Sequence, residues 1–512
     1  MAQGHAAAGG LPETIGSNLI SNSYRQILKS SALIGGSSVV NVLLGLVRTK
    51  FTAIYLGTLG VGLMGTYSSI TGMMGTLAGL GIGSSGVRQI AEASVTGDQL
   101  RIARTVLTIR RAAMVLGLVG TLLLILVARP VCQWTFGDTS QTLPVMVISV
   151  TVLFTAVSNG QTALVQGVRR ISDLARLSVL GALLGTVIAI PMMIQWGQKS
   201  VVPILLAGSG TAILTSWYFA RKVTIAKVTM TWRETWHESK PLLKLGLVFA
   251  SSGLMTSGVA YLTRVIIIRR LGLDAAGLYG AAWTLSSFYV GFILGAMGAD
   301  FYPRLTAVAQ DHSQVNRLVN EQTEVSLLLT LPGLVATLTF APWVIHLLYS
   351  SAFVPAGEVL RWQVLGLALR VLAWPMGFIM LAKGNAKLFF WCELISNLVH
   401  LGLIWGGVAC WGLPGTGVAF MGLYIFSTLL MIFVTRRLTS FQWTPANSRL
   451  IILTTVVSVG TLLSALLLPQ TWSLAVGSSL AAATGVYSLK ALTRLTGSNP
   501  LTTAFLKLKA AF

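Results

Sequence analysis

The sequence predicts an all-α integral membrane protein with about fourteen transmembrane helices. Of its 512 residues, 54% are hydrophobic and 10% are charged, and its mean hydropathy is +0.76. Apolar runs of about twenty residues, the length that crosses a bilayer as a helix, recur along the chain. Lysine and arginine collect mostly between these runs. A large soluble helical protein, the alternative, is excluded because it would contain far more charge.

The apolar runs define the order of the predicted spans, with boundaries that are good to a few residues. The spans are 31–56, 62–86, 112–128, 144–166, 175–196, 201–220, 245–270, 277–299, 325–348, 359–381, 388–411, 415–434, 450–468 and 474–489. The first span is unusual because Arg48 and Lys50 lie inside it. A glycine-rich turn, Gly57 to Gly62, follows at once and leads into the second span.

The distribution of the 36 lysine and arginine residues predicts the orientation of the chain. If both termini are cytoplasmic, 27 of these residues fall in cytoplasmic segments, three on the periplasmic side and six inside spans or at their ends. An excess of cations in cytoplasmic segments is typical of multi-pass membrane proteins. It also explains the formal net charge of +22 without a nucleic acid partner.

A sequence repeat indicates that the chain consists of two related halves. Residues 56–65, LGTLGVGLMG, recur 215 residues later as residues 271–280, LGLDAAGLYG. Six spans separate the two copies, and an even number of crossings gives both copies the same orientation. The sequence therefore predicts parallel repeats, related by an axis along the membrane normal.

This division gives six predicted segments. They are an N-terminal cytoplasmic tail (1–30), an N-lobe (31–220), a cytoplasmic linker (221–244), a C-lobe (245–435), a further pair of spans (449–490) and a C-terminal cytoplasmic tail (491–512). The linker contains Trp232 and Trp236, and two interpretations of it stay open. It is either a plain connector or an amphipathic helix on the anionic membrane surface.

Several segments resemble a known family. Residues 46–63, LVRTKFTAIYLGTLGVGL, are similar to the first-helix signature of bacterial O-antigen translocases, in the polysaccharide-transporter branch of the multidrug/oligosaccharidyl-lipid/polysaccharide exporter superfamily. Residues 264–279 and YPRL at 302–305 resemble later family segments. The most specific match runs from Leu348 to Leu394 and includes LRWQVLG at 360–366 and LAKGN at 381–385.

The resemblance implies a fold and an activity. It implies two six-helix lobes in a V around a central cationic cavity, which opens to each side of the inner membrane in turn. It also implies transport of undecaprenyl-diphosphate-linked oligosaccharide from the cytoplasmic to the periplasmic leaflet. The last two spans exceed the commonest family length; related lipid II flippases carry such a pair as a lipid groove, so a lipid II-type substrate stays an alternative.

Cations inside the spans are the predicted substrate ligands. A cation at the bilayer centre costs about 2.5–3.5 kcal/mol on insertion scales, so its usual place is a watery interior or beside a partner. With the resemblance, this predicts that Arg48, Lys50, Arg264 and Arg370 bind a diphosphate. Arg48 and Lys50 lie about 200° apart around a helix, so they cannot both face one wall, and the sequence leaves open which of them faces the cavity. Secondary candidates are Arg269, Arg270 and Asn41.

A second constellation concerns ion coupling. Glu393, Asn397 and His400 lie at i, i+4 and i+7 on the eleventh span, hence on one helical face. They form either a protonatable stripe that couples proton flow to transport or a polar seam between helices. Asn159, Gln161 and Gln166 leave a similar choice open, because they either bind sugar hydroxyls or join helices.

The remaining patterns exclude other classes of function. The chain contains no P-loop motif for nucleotide-driven transport, and its three cysteines lack metal-ligand spacing. We therefore expect no metal and no cofactor. A multidrug exporter for cationic drugs is disfavoured because its site should be acidic. A glycan polymerase is disfavoured because the longest predicted periplasmic loop, 129–143, carries one acid, Asp138. Other glycan-assembly proteins stay possible partners.

Overall fold

The computed structural model describes residues 13–496, where all regular structure is helical. The helices are α1 (Glu13–Gly79), α2 (Ile82–Thr96), α3 (Gln99–Leu126), α4 (Ala128–Thr135), α5 (Thr142–Ile148), α6 (Val150–Gly167), α7 (Ile171–Trp196), α8 (Val201–Ala220), α9 (Trp232–Leu271), α10 (Leu273–Ala307), α11 (His312–Leu348), α12 (Ala356–Ala382), α13 (Ala386–Trp411), α14 (Pro414–Thr439), α15 (Pro445–Leu467) and α16 (Gln470–Thr496). Short 3₁₀ turns occur at Gly197–Ser200 and Ser351–Phe353. The outer parts of both predicted tails, 1–12 and 497–512, lie outside the described residues.

The predicted fold class, an all-α membrane protein, is confirmed. Ten segments of the described chain are long and apolar enough to cross a membrane, by length and composition. Two of them, Gly36–Gly79 with 44 residues and Ile171–Ala220 with 50, are about twice the length of one crossing. Each contains a positive-φ glycine, Gly57 or Gly197, between its two halves. The count of fourteen crossings stays a prediction.

Several helices have boundaries that differ from those of the predicted spans. α9 is longer than its span because backbone hydrogen bonding continues into a segment of lower hydropathy. α9 begins at Trp232, so only 221–231 of the predicted linker lies outside a helix. Its start is fixed by a capping box in which Thr231 and Glu234 satisfy each other's backbone N–H groups. The fourth predicted span divides at Ser149 into α5 and α6, and residues 82–86 belong to α2 rather than to the second span.

We call α1–α8 the N-lobe and α9–α14 the C-lobe. The N-lobe interior is filled by an apolar cluster that includes Leu56, Tyr67 and Ile148. The largest C-lobe cluster includes the fully buried side chains of Phe353 and Leu360. Each cluster lies mainly in one lobe, although Tyr261 and Val265 of α9 belong to the first and Ala53 of α1 belongs to the second. The two lobes meet where α1 and α2 of the N-lobe pack against α9 and α10 of the C-lobe.

The two copies of the sequence repeat form the central contact between the lobes. Gly57 (φ 65°, ψ −169°) and Gly272 (φ 90°, ψ 174°) have nearly the same backbone conformation, one that is essentially restricted to glycine. Five residues after each turn, Gly62 packs directly against Gly277, and a Cβ on either would overlap the backbone of the other helix. We call this end of the bundle the Gly57 end. The opposite end, which carries residues 221–231, is the linker end.

The helix pair α15–α16 packs on α11 of the C-lobe. A buried polar cluster fixes its start: the Asn447 amide donates to the Asn320 side chain (2.8 Å) and to its backbone carbonyl (2.9 Å). Asn320 in turn accepts from the backbone N–H of Thr444 (3.0 Å). Much of the outer face of the pair is apolar and exposed, as at Ile452, Val456 and other positions, which suits contact with lipid.

Candidate functional site

A small cavity at the lobe interface brings together two of the predicted cations. It has a volume of about 250 Å³ and is lined by Arg48 of α1 and Arg264 of α9, one from each lobe. Gly65 and Gly280, the equivalent last glycines of the two repeat copies, also line it. A Cβ on Gly65 would lie 3.4 Å from Nε of Arg264, so the absence of a side chain leaves room for the guanidinium.

The positive charges of the two guanidinium groups are balanced by few hydrogen bonds from the described part of the protein. Arg264 donates to the carbonyl of Ala260 on its own helix (3.2 Å), and in the described chain no protein group bonds to the Arg48 side chain. The described residues that line this cavity include no carboxylate. Two cations that share a site away from bulk water repel each other. The pocket is therefore suited to an anion, and Arg offers the forked donor geometry that matches a phosphate.

Lys50 does not line this pocket but crosses to the C-lobe. Its ammonium donates to the backbone carbonyls of Tyr349 (2.6 Å) and His346 (3.1 Å), at the C-terminal end of α11. Unsatisfied carbonyls and the negative pole of the helix dipole make such an end a favourable place for a cation. The contact joins the lobes close to the Gly62–Gly277 packing.

Further contacts hold the lobes together at the Gly57 end. The hydroxyl of Thr58 in the N-lobe bonds to Asp274 in the C-lobe. The hydroxyls of Thr135 and Tyr261 are 2.7 Å apart, again across the interface. The secondary candidate Arg269 is exposed and lies against Gly137 of the N-lobe. These contacts close the bundle at the Gly57 end.

The other candidate cations lie in different surroundings. Arg270 is exposed, with its guanidinium 5.4 Å from the ring centre of Trp405, as expected for an interfacial anchor. Arg370 lies inside the C-lobe, 5.9 Å from the ring centre of Tyr424, and it interacts electrostatically with Glu393. Neither residue lines the Arg48–Arg264 pocket.

The predicted coupling stripe on α13 spans two environments. Glu393 is exposed, whereas His400 is buried, with its ring in edge contact with Phe420 at 6.3 Å. Among the described residues, Nε2 of His400 has no hydrogen-bond partner, and no hydrogen bond links Glu393, Asn397 and His400 to one another. Both interpretations, a protonatable stripe and a polar seam between helices, stay predictions.

A larger cavity occupies the N-lobe beside the cationic pocket. It has a volume of about 880 Å³ and extends along α1 and α2 from Ser68 to Val87, with α6 and α8 opposite. Asn159 and Gln166 line it, whereas Asn41 and Gln161 join helices: Asn41 donates to Ser178 (2.7 Å) and Gln161 accepts from Ser216 (2.6 Å). The structure thus separates amides that face open space from amides that join helices.

Sequence reasoning missed the neutral residues of the pocket. Thr284 and Tyr349 line it together with the arginines, and Ser68 lines both cavities. For Gly65 and Gly280, the signal was present, because each is the last residue of a repeat copy. For Tyr349, which is 301 residues away from Arg48 in the chain, the sequence contains no signal that would place it in the pocket.

Comparisons with known proteins agree with this architecture. The model of a family described as polysaccharide biosynthesis protein matches residues 60–358, more than half of the chain. The chain is also similar to proteins named lipid III flippase from Escherichia coli (strain K12) and Shigella flexneri. Each is 24% identical over 431 residues, which cover 78% of this chain and 95% of the relative.

Solved structures show the same fold. The chain superposes on the lipid II flippase MurJ in an inward closed conformation with a TM-score of 0.70 and 14% identity, covering 91% of this chain and 99% of that one. It superposes on an inward-facing multidrug resistance MATE family transporter of the MOP superfamily with a TM-score of 0.65 and 17% identity, covering 78% and 95%. The predicted transporter fold is confirmed.

Proposed function

This chain belongs to the polysaccharide biosynthesis protein family, and we propose that it flips undecaprenyl-diphosphate-linked oligosaccharide, an O-antigen-type repeat unit, across the bacterial inner membrane. It is a multi-pass transporter of a lipid-linked precursor rather than an enzyme. The headgroup enters from the cytoplasmic side, and the polyprenyl tail stays in lipid. The lobes then rock so that the headgroup leaves on the periplasmic side.

The observation that carries this proposal is the pocket shared by Arg48 and Arg264. Each lobe contributes one cation, and no carboxylate occurs among the pocket-lining residues that the structure describes. A diphosphate would neutralise both guanidinium groups at once, and this gain offsets part of the cost of keeping cations within the membrane. Because the two ligands sit on different lobes, bound diphosphate would also draw the lobes together, which couples binding to conformation.

Charge distribution supports the proposed orientation, with both termini and the linker end in the cytoplasm. In that orientation the Gly57 end is periplasmic, and the closed contacts there correspond to a state that receives substrate from the cytoplasm. The energy source would be an ion gradient or the membrane potential. Glu393, Asn397 and His400 are the candidate coupling residues, and Arg370 interacts electrostatically with Glu393.

The test is complementation of a flippase-deficient strain by the full chain and its variants. We expect Arg48→Ala and Arg264→Ala each to lower surface glycan by about ten-fold or more, since a charge-assisted hydrogen bond is worth about 1.5–3 kcal/mol. Lipid-linked repeat units should accumulate on the cytoplasmic face. Immunoblots of surface glycan, normalised to the amount of protein in the membrane, measure the effect.

Arg317→Ala is the matched control, because this arginine is exposed and pairs with Glu321 of the same helix, remote from the pocket. It should leave export unchanged. Full export by the Arg48→Ala/Arg264→Ala double variant at normal expression would contradict the proposed site. The conservative pair Arg48→Lys and Arg264→Lys should retain partial export, because lysine keeps the charge and loses the forked geometry.

A further inference from the structure

The large N-lobe cavity has an uncharged polar lining, which sets it apart from the cationic pocket. Of the residues that the structure describes, 23 line it, and none of these is Asp, Glu, Lys, Arg or His. Eight of them are serine or threonine, two are amides and five are glycines. The volume of about 880 Å³ falls in the range of roughly 300–1,000 Å³ typical of ligand pockets, and it is sufficient for a di- or trisaccharide.

Several of these polar side chains have no partner in the protein. Among the side chains that the structure describes, none hydrogen-bonds to the amides of Asn159 and Gln166 or to the hydroxyls of Thr155 and Thr162. All four lie on α6 and line the cavity. Polar groups withheld from protein partners inside a membrane protein need water or a ligand. Amides and hydroxyls both donate and accept, which suits the hydroxyl and acetamido groups of neutral sugars.

The cavity adjoins the cationic pocket. Ser68 lines both, so the two spaces lie next to each other along α1, and the first sugars of a ligand held by Arg48 and Arg264 would lie beside the N-lobe cavity. A diphosphate-linked glycan has this order of groups, with charge at one end and neutral rings beyond it. The cavity therefore lies where the first sugars of such a molecule would be.

The C-lobe completes one wall of the cavity. Phe249 and Ala250 of α9 line it, and α9 meets the N-lobe at Gly246, which packs against the backbone of Leu80 and Gly81. The side chain of Phe249 is 46% exposed and offers a flat apolar surface for the C–H face of a sugar ring. Any motion of α9 away from α2 would remove this wall and release what the cavity holds.

We infer that the N-lobe cavity is a glycan subsite that binds the first uncharged sugars of the substrate through Asn159 and Gln166 and excludes acidic ones. This inference rests on the proposed function. A hexuronic acid would bring a carboxylate into a cavity whose described lining residues include no cation. Burial of an unpaired charge is strongly unfavourable. The subsite thus adds selection by sugar charge to the recognition of diphosphate.

The experiment measures binding to the purified full chain in nanodiscs with four probes. They are bare undecaprenyl diphosphate, the same lipid with a neutral disaccharide of N-acetylhexosamines, the same lipid with a hexuronic acid as second sugar, and the methyl glycoside of the neutral disaccharide. We expect the neutral glycolipid to bind about ten-fold more tightly than bare lipid, the gain from one or two net hydrogen bonds. The acidic glycolipid should lose most of that gain.

Variants separate the subsite from the diphosphate site. Asn159→Leu/Gln166→Leu should bind bare lipid as the wild type does, while the neutral glycolipid falls to the level of bare lipid and the methyl glycoside no longer binds. Gln161→Leu is the matched control, since it makes the same change on the same helix at an amide that bonds to Ser216. The Gln161→Leu variant should keep the wild-type ratio of the dissociation constants of bare lipid and neutral glycolipid.

The outcomes are distinct. An unchanged ratio in the double variant, or equal binding of neutral and acidic glycolipids, overturns the glycan subsite and leaves the proposed function standing. Binding of the methyl glycoside without binding of bare lipid overturns the proposed function and retains the subsite. Loss of both lipids to the same extent in the double variant also overturns the inference, because it indicates a structural role.

Discussion

At the scale of single residues, Arg48 and Lys50 show how two neighbouring cations on one helix reach different partners. Arg48 lines the pocket with Arg264, and Lys50 donates to two carbonyls of α11. Their separation of about 200° around the helix makes this division necessary. By donating to carbonyls of the other lobe, Lys50 holds the two lobes together. This role differs from the role of diphosphate ligand, which the sequence predicts for Lys50.

A substitution at Lys50 distinguishes the two roles. We expect Lys50→Met to open the Gly57 end, because hydrogen bonds from a charged donor contribute about 1.5–3 kcal/mol and are made only when the lobes meet there. Spin labels at Thr139 and Ser351, both exposed and on different lobes, report the distance in a cysteine-free background. The distance distribution should shift to longer values.

Lys50→Arg is the matched variant, and it should restore the short distance by donating to the same carbonyls. If Lys50→Met keeps the wild-type distances but loses binding of bare undecaprenyl diphosphate, Lys50 is a substrate ligand and its contact with α11 does not hold the Gly57 end closed. Loss of both would assign both roles to this residue in different states.

At the scale of elements, the repeated glycines explain how the two halves of α1 and the helices α9 and α10 approach so closely at the Gly57 end. The φ and ψ angles of Gly57 and Gly272 are accessible essentially to glycine alone, so each turn reverses the chain in the same way. Gly62 and Gly277 then allow backbone contact between the lobes. Small residues at such crossings replace the hydrophobic effect, which is weak between helices in lipid.

A methyl group at this crossing should disturb it. Gly62→Ala and Gly277→Ala each place a Cβ against backbone atoms of the other lobe, which cannot move aside as a side chain can. Overpacking of this kind costs about 1–3 kcal/mol, so we expect the closed state of the Gly57 end to lose population. Disulfide formation between Thr58→Cys and Asp274→Cys, in a cysteine-free background, measures closure and should slow.

Gly258→Ala provides the control, because a Cβ there meets nothing within 4 Å. It should crosslink at the wild-type rate. Wild-type crosslinking in both interface variants would show that the Gly62–Gly277 packing does not limit closure.

At the scale of the whole molecule, the proposed transport cycle alternates between closure at the Gly57 end and closure at the linker end. The lobes are joined at the Gly57 end by several contacts, and the large cavity extends toward the linker end, to Val87. A cycle that reverses this state needs an energy source, and a ligand shifts the balance only by its difference in affinity for the two states. Ion coupling in the C-lobe would supply the remainder.

Glu393→Gln tests that coupling. Because glutamine is close in shape and cannot change its charge, we expect transport by the variant to lose any dependence on external pH. Flipping of a fluorescent lipid-linked substrate in proteoliposomes, with an imposed proton gradient, gives the rate. Glu321→Gln, an exposed residue remote from α13, is the control. A variant profile that matches the wild type would leave Glu393 with a structural role.

The sequence by itself determined the class of fold, the repeat and the kinds of residue at the site. Hydropathy and charge bias are properties of the local sequence, so they can be read without knowing which residues are in contact in the fold. The recurrence of LGTLGVGLMG as LGLDAAGLYG already located both turns. Helix ends were less accurate, as at Trp232, because capping hydrogen bonds extend a helix beyond its apolar run.

Only the tertiary structure decided which polar side chains face open space. Asn159 and Gln161 lie two positions apart on α6, yet one lines the cavity and the other bonds to Ser216 of α8. Arg48 and Arg264 met in one pocket, and Lys50 turned to α11. The rotation of each helix about its axis sets these outcomes, and that rotation depends on packing with helices that are hundreds of residues away in the chain.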